Sequence, residues 1–159
     1  MKILLAIDDS QYGQEALRTL IAQAKTRGTE VRVLHVIEEL RAYISAEMMP
    51  HLVHYAVAME DERRKQAQAL VHRAAQQLHK AGFHASEVVD KGDPKIQIID
   101  HAAKWRADLI VLGSHGWKGL NRFLMGSVSD AVTRHAGCSV QVVRARADAP
   151  RTKRRKSRR

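Results

Sequence analysis

Two short apolar runs constrain the fold of this chain more than any other feature of the sequence. They are "ILLAI" at residues 3–7 and "LIVL" at residues 109–112. A strand with one face in water alternates apolar and polar side chains, whereas a strand covered on both faces shows no such alternation. The two runs therefore predict central strands of a parallel sheet that has helices on both faces.

Strand-like and helix-like segments alternate along the rest of the chain. Apolar side chains recur at helical spacing in residues 16–24 and again in residues 67–78, within a predicted helix that starts near Met59. Three further strand-like segments read "EVRVLHVIE", "HASEVVDKG" and "SVQVVRA". The order β-α-β-α-β-α-β-α-β predicts an α/β fold with one five-stranded parallel sheet. Residues 40–57 fit neither pattern.

Residue types at the predicted helix ends agree with this order. Gly28 supplies a stop after the first helix. Asp93 and Pro94 are the residue types favoured at the N-cap and at the first position of the third helix. Ser127 and Asp130 have the spacing of a capping box, which predicts Ser127 as the N-cap of the fourth helix.

The net charge of +10 comes largely from the C-terminus. The last nine residues, "RTKRRKSRR", carry seven basic and no acidic side chains, and the remainder has 20 basic and 17 acidic residues. We therefore predict a nearly balanced domain over residues 1–146 and a basic, disordered tail over residues 147–159. The tail lacks aromatic side chains, so any contact with nucleic acid or an acidic surface would be sequence-independent and salt-sensitive.

Other features indicate the compartment. No run of about 18 apolar residues is present, so no membrane span is expected. The opening "MKILLAIDDS" lacks the long apolar region of a secretory signal and is interpreted as the first strand. The single cysteine, Cys138, is interpreted as a buried thiol at a strand start, without a redox role. These features predict a cytoplasmic protein.

Residues with distinctive chemistry follow two of the predicted strands. Asp8 follows the first strand and Gly113 follows the fourth. In doubly wound sheets, ligands bind beyond the carboxyl ends of the strands where the winding reverses direction. With the strand order 3-2-1-4-5, Asp8 and Gly113 would meet at one crevice.

The stretch "GSHGWKGLNRFLMGSVSD", residues 113–130, is a candidate phosphate site. Gly113 and Gly116 can expose backbone N–H groups, and Gly126 with Ser127 stands at a helix start that favours an anion. The loop has neither the P-loop spacing nor the dinucleotide fingerprint. Any one of these glycines would suit an ordinary turn. The prediction therefore rests on their combination: a strand, a pair of glycines, a long loop, and then Gly-Ser at the start of a helix. Further donors and positive charges are offered by Ser114, Ser129, Lys118 and Arg122, whereas His115 and Trp117 have no assigned role.

The spacing Gly113-x2-Gly116-x9-Gly126-Ser127 resembles the nucleotide-binding loop of the universal stress protein (UspA-like) family. The resemblance extends over nearly all of residues 1–146, through "ILLAIDDS", "VLHVIEE", "KGDPKIQIIDHA", "ADLIVLGSHG" and "GCSVQVVR". It implies the ATP-binding branch of the family, a role in the stress response and the adenine nucleotide alpha hydrolase-like fold with sheet order 3-2-1-4-5. It also implies a homodimer that pairs along the last strand, from Ser139 to Arg144.

The resemblance further implies which residues contact the nucleotide. The backbone at Val36 would read the adenine, and Asp8, preceded by Ala6 and Ile7, would lie near the nucleoside. Ribose and phosphates would be held by two segments, Leu112, Gly113, Ser114, His115 and Gly116, and Gly126, Ser127, Val128 and Ser129. The implied cofactor is ATP, with Mg²⁺ carried by its phosphates. Departures from the family pattern at Ala6, Asp9 and Ser139 remove none of the phosphate-loop residues.

Nine histidines raise the question of a metal site. His51 and His54, and likewise His72 and His79, lack a third ligand at a recognised spacing, so no metal held by the protein alone is expected. No general base can be aimed at a γ-phosphate, so no catalytic residue is predicted. The leading hypothesis is ATP binding with slow or no hydrolysis. The alternatives are an interaction protein that uses its basic tail on nucleic acid or another acidic partner, and a genuine hydrolase.

Overall fold

The computed structural model of the chain describes residues 1–39, 50–116 and 125–144, apart from the side chains of residues 50–56. Five strands and four helices alternate in the described part: β1 (Lys2–Ala6), α1 (Gln11–Gln23), β2 (Glu30–Ile37), α2 (Pro50–Lys80), β3 (His84–Lys91), α3 (Pro94–Trp105), β4 (Leu109–Gly113), α4 (Ser127–His135) and β5 (Ser139–Val143). The basic tail and loop residues 117–124 lie outside the described residues. The partners predicted for the tail therefore stay a prediction.

The strands form one parallel sheet in the order β3-β2-β1-β4-β5. This confirms the predicted α/β fold and strand order. β1 occupies the centre, where Leu4 is the register partner of Arg32 on β2 and of Ile110 on β4. From β1, the chain adds β2 and then β3 on one side of the sheet. It then crosses back over β1 and adds β4 and β5 on the other side.

Two apolar layers cover the two faces of the sheet. Ile3 and Leu5 of β1 enter the layer that packs against α1 and α2, whereas Leu4 and Ala6 enter the layer that packs against α3 and α4. Side chains of successive strand residues point to opposite faces, so both sets in β1 must be apolar. This is the physical reason for the unbroken apolar run at the start of the chain.

Helix α3 begins as the sequence predicts. The Asp93 carboxylate accepts a hydrogen bond from the backbone N–H of Lys95 at 2.8 Å, and Pro94 is the first helical residue. Helix α1 differs from the prediction at its C-terminal end, because its C-cap is Ala24. Gly28, with a φ of 71°, lies in the turn before β2.

The predicted capping box of α4 is wrong. The N-cap is Gly126, so Ser127 is already the first helical residue. The Gly126 N–H donates to the Ser114 carbonyl at 2.8 Å, which fixes the entry of the chain into the helix one residue earlier than predicted. The Asp130 carboxylate instead accepts from Arg134 at 3.0 Å on the helix surface.

Helix α2 is longer than the sequence predicts. It runs for 31 residues from Pro50, well before the predicted start near Met59. At 1.5 Å per residue, such a helix is roughly 46 Å long, whereas an eight-residue strand such as β2 spans about 26 Å. Arg63 donates to the carbonyl of Glu38, just past the end of β2, at 2.8 Å. The part of α2 before Arg63 therefore extends beyond the carboxyl ends of the strands. Within the described residues, no helix combines the length and the apolarity that a membrane crossing requires.

The core of the central strands supplies a stability prediction. Ile110 of β4 is 0% exposed, whereas Ile96 on the surface of α3 is 58% exposed. Ile110→Ala should lower the free energy of unfolding by about 2–5 kcal/mol, because it leaves a cavity in the apolar layer between the sheet and helices α3 and α4. The matched variant Ile96→Ala should change it by less than about 0.5 kcal/mol. Urea denaturation followed by circular dichroism measures both, and equal effects of the two variants would contradict this account of the core.

Candidate functional site

A cleft of about 830 Å³ opens over the carboxyl ends of β1, β2 and β4. It lies at the point where the winding of the sheet reverses, as predicted for a ligand site. Its wall includes all but one of the predicted site residues: Ala6, Ile7, Asp8, Val36, Leu112, Gly113, His115, Gly116, Gly126, Ser127, Val128 and Ser129. The structure therefore brings residues from distant parts of the sequence together at one crevice.

Ser114 is the predicted site residue that lies outside the cleft wall. Its side chain is buried. Its carbonyl accepts hydrogen bonds from the Gly126 N–H at 2.8 Å and from the Ser129 hydroxyl at 2.9 Å. Ser114 thus joins the end of β4 to the start of α4, and it brings together both ends of the glycine-rich loop. Loop residues Trp117, Lys118 and Arg122 lie outside the described residues.

Asp8 lies between the start of α1 and the glycine-rich loop. One of its carboxylate oxygens, Oδ1, accepts from the Ser10 hydroxyl at 2.6 Å, and Ser10 in turn caps α1 by accepting from the Gly13 N–H at 3.2 Å. A Cβ atom placed on Gly116 would lie 3.0 Å from the other oxygen, Oδ2. The structure therefore places Asp8 beside the loop, as the predicted strand order requires.

Two glycines allow α1 to approach the sheet closely. A Cβ on Gly113 would lie 2.7 Å from the Cβ of Tyr12, and a Cβ on Gly13 would lie 2.5 Å from the Asp8 carbonyl oxygen. The absence of a side chain at Gly113 therefore serves helix packing as well as access to the cleft. Gly13 was not among the predicted site residues, although an isolated glycine inside a helical pattern is a signal of close packing.

His115 and Tyr12 form an aromatic contact at the rim of the cleft. Their ring centroids are 5.1 Å apart, with the ring planes tilted by 40°. The Nδ1 atom of His115 also lies 3.1 Å from the Ser114 hydroxyl. His115, for which the sequence left the role open, therefore contacts Ser114, which follows β4, and Tyr12 of α1.

One side of the cleft was missed by the sequence analysis. Arg63, Gln66, Leu70 and Arg73 of α2 line this side, and their spacing of three and four residues places them on one helical face. Among the described residues of the wall, Arg63 and Arg73 are the only lysine or arginine side chains. The spacing is visible in the sequence, but it does not show which direction the face points.

His35 of β2 is a second residue that the sequence analysis missed. Its Nδ1 lies 2.8 Å from the carbonyl oxygen of Ile7. A carbonyl oxygen only accepts hydrogen bonds, so Nδ1 carries the proton and Nε2 is an acceptor when the ring is neutral. His35 also lines the cleft.

No group of three or more histidine, cysteine or acidic residues in the described part of the chain could hold a metal ion. His72 instead lies 2.9 Å from Glu87, and His79 lies 3.2 Å from the carbonyl of Phe83, so the two histidines have separate partners. Cys138 is half-buried, and burial, with a smaller contribution from Asp108, raises the pKa of its thiol. The thiol therefore stays protonated at neutral pH, which suits a packing role.

The chain is similar to a known family over most of its length. It matches the model of the universal stress protein family over residues 1–144. It is 31% identical over 147 residues to universal stress protein YxiE of Bacillus subtilis (strain 168), an alignment that covers 90% of this chain and 98% of that protein.

Solved structures share the fold. The hypothetical protein MJ0577 superposes with a TM-score of 0.77 at 26% identity, covering 93% of this chain and 97% of that one. A universal stress protein family protein from Arabidopsis thaliana, solved with AMP bound, superposes with a TM-score of 0.65 at 19% identity and covers 96% and 97% of the two chains. At that identity, the second comparison establishes the fold alone.

The contact between Gly13 and Asp8 supplies a prediction that needs no ligand. Gly13→Ala should lower the free energy of unfolding by about 1–3 kcal/mol, because the added Cβ would meet the Asp8 backbone, which cannot move independently of β1. Gly137→Ala is the matched control, since a Cβ there would have no neighbour within 4 Å. Guanidinium denaturation measures both variants. A Gly13→Ala variant as stable as the control would show that this contact is not tight.

Proposed function

The chain belongs to the universal stress protein family, and from that premise we propose that it binds an adenine nucleotide in the cleft over β1, β2 and β4. The observation that carries the proposal is the convergence of apolar side chains, Asp8 and the N-terminus of α4 at one crevice. We propose that the protein is an ATP-binding, cytoplasmic regulator of the stress response. The Mg²⁺ that accompanies ATP would be carried by its phosphates.

The adenine ring fits the apolar part of the cleft. Leu34, Val36, Ile98, Leu112 and Val128 line this part, and all belong to the layer that packs against α3 and α4. Burial of a flat apolar ring favours binding, and backbone groups at the end of a strand supply the polar contacts that orient it. This arrangement supports the proposal that the backbone at Val36 reads the adenine edge.

The phosphates fit the opposite side of the cleft, where α4 begins. Ser127, Val128 and Ser129 form the first turn of α4 and line the cleft, so the positive end of the helix dipole faces it. Gly116 lines the same side without a side chain to obstruct a phosphate group. The negative charge of Asp8 would repel phosphates, which supports placing Asp8 beside the ribose.

The geometry supports binding with slow or no hydrolysis. Ser114 and His115 form a serine–histidine contact of 3.1 Å, but Ser114 is buried and lies outside the cleft wall. Its hydroxyl is therefore not placed for attack on a bound phosphate. We propose that the nucleotide acts as a regulatory ligand, which shifts the population of loop conformations because it binds some of them better than others.

We also propose the homodimer along β5. The two edge strands differ in how they are protected against pairing. β3 carries Glu87, Asp90 and Lys91, whereas β5 has no charged side chain between Ser139 and Val143. Charged edges disfavour pairing and uncharged edges permit it, so β5 is the edge suited to a second copy of the chain.

Nucleotide binding can be tested at Gly116. A valine side chain at this position would meet the Asp8 carboxylate and narrow the cleft between Asp8 and the start of α4, so Gly116→Val should weaken ATP binding by about tenfold or more. Gly116 is a better test position than Gly113, where any side chain would also displace α1. Gly137→Val is the control, and isothermal titration calorimetry with ATP and AMP is the measurement. ATP affinity that is unchanged in folded Gly116→Val would refute the proposed site.

The dimer can be tested at Val140. The Val143 carbonyl accepts from the Ser114 N–H at 2.7 Å, so the main-chain groups of Val143 face β4. Main-chain groups alternate in direction along a strand, so those of Val140 and Val142 face away from β4, toward the proposed partner. Val140→Pro removes an outward N–H, whereas Val140→Ala keeps it and loses a similar apolar contact. In sedimentation velocity, the wild type and Val140→Ala should be dimers, and Val140→Pro should dissociate at about tenfold higher concentration or above. A folded, fully dimeric Val140→Pro would exclude pairing along β5.

A further inference from the structure

The cleft has three arms that differ in chemistry. An apolar arm lies against α3 and α4, and a glycine-rich arm lies at the start of α4. The third arm, which we call the α2 arm, is lined by His35, Arg63, Gln66, Leu70 and Arg73. The proposed adenine and 5′-phosphate positions use the first two arms, so the α2 arm is left without a ligand group.

Among the described residues of the cleft wall, the arginines lie in the α2 arm. Arg63 donates from Nη2 to the Glu38 carbonyl at 2.8 Å, which positions its guanidinium at the carboxyl end of β2. One turn earlier on α2, Glu60 pairs with Lys91 at the end of β3, so this part of the helix is tied to the sheet. A guanidinium group has five N–H donors, and the bond to Glu38 uses one of them. The remaining donors can bind an anion in bidentate geometry.

The acidic residues of the cleft wall lie mainly elsewhere. The Asp8 carboxylate faces Ser10 and Gly116, on the α1 and loop side. Asp9 follows it and is exposed at the cleft rim. Glu38 contacts Arg63 through its backbone carbonyl. An anion beside Arg63 and Gln66 would therefore meet donors on α2.

With a nucleotide in the cleft, each arm would take one substituent of the ribose. The base would enter the apolar arm, and the 5′ chain would enter the glycine-rich arm. The remaining edge of the sugar, with its 2′ and 3′ oxygens, would then face the α2 arm. A free hydroxyl on this edge can donate to Nε2 of His35, and a phosphate on it can accept from Arg63 and Gln66, with Arg73 contributing positive charge from further along α2.

We propose that the α2 arm is a subsite for a phosphate monoester on the 3′ side of the ribose. The ligands of this protein would then include adenine nucleotides phosphorylated at both the 5′ and the 3′ positions. This inference rests on the proposed adenine-nucleotide site and adds a second anion position to it. Arg63 is the main specificity-determining residue of the subsite, because it is the arginine that a backbone contact fixes at the end of β2.

Calorimetric titration with three ligands tests the proposal in the wild-type protein. Adenosine 3′,5′-bisphosphate should bind about tenfold tighter than AMP, which corresponds to one additional charge-assisted contact. ADP serves as the matched ligand, because it also has two phosphates but carries both on the 5′ chain. The preference for the bisphosphate should shrink as salt is raised, since the subsite is partly exposed.

Variants on α2 separate the subsite from general electrostatics. Arg63→Gln should reduce the preference for the bisphosphate over AMP to within about twofold while leaving ADP affinity unchanged. Arg64→Gln is the matched control, because Arg64 is exposed on the same helix and does not line the cleft. Arg73→Gln should reduce the preference by a smaller factor. It also serves as the second variant if Arg63→Gln does not fold.

The outcomes distinguish this inference from the function on which it rests. Equal affinity of the wild type for AMP and the bisphosphate would overturn the α2 subsite and leave the adenine-nucleotide site intact. A preference that persists in both Arg63→Gln and Arg73→Gln, or that falls equally in Arg64→Gln, would also overturn it. Failure of AMP, ADP and the bisphosphate to bind at all would overturn both proposals.

Discussion

The burial of β1 on both faces is the constraint on which the rest of the structure depends. β1 pairs with β2 on one side and β4 on the other, and its side chains enter two separate apolar layers. Successive parallel strands need a crossover connection, which is a helix at each of the four connections here. Because the strands are parallel, all of them end at the same edge of the sheet. Polar residues excluded from the two cores collect at that edge, and the cleft forms there.

Close backbone packing then fixes the shape of the cleft. Gly13 and Gly113 let the first turn of α1 approach the ends of β1 and β4, and Ser114 joins β4 to α4 through its carbonyl. These contacts lie at the carboxyl ends of β1 and β4 and involve main-chain atoms. Asp8 is positioned by its place after β1 and by the Ser10 hydroxyl, which donates to its carboxylate. Such pre-organisation lowers the entropic cost of binding a ligand.

Apolar patterning was sufficient to predict a parallel α/β sheet with β1 and β4 as central strands, whereas the strand order, and with it the position of the cleft, rested on the resemblance to the universal stress protein family. Local signals were less reliable. Asp93 caps α3 as predicted, whereas the hydrogen bond from Gly126 to Ser114 overrides the capping pattern at Ser127. The α2 side of the cleft could not be predicted, because the direction in which Arg63 and Arg73 face depends on how α2 packs against β2 and β3. His35 was missed because its hydrogen bond to Ile7 links residues far apart in sequence.

The Ser114 carbonyl also links the stability of the fold to the geometry of the cleft. It accepts from the Gly126 N–H and from the Ser129 hydroxyl, so the residue that follows β4 and the first turn of α4 are joined at one oxygen atom. The same two bonds hold the start of α4 against the end of β4 and keep the N-terminus of α4 at the cleft wall. A change that weakens them would therefore lower the stability of this end of the fold and the affinity of the proposed site together.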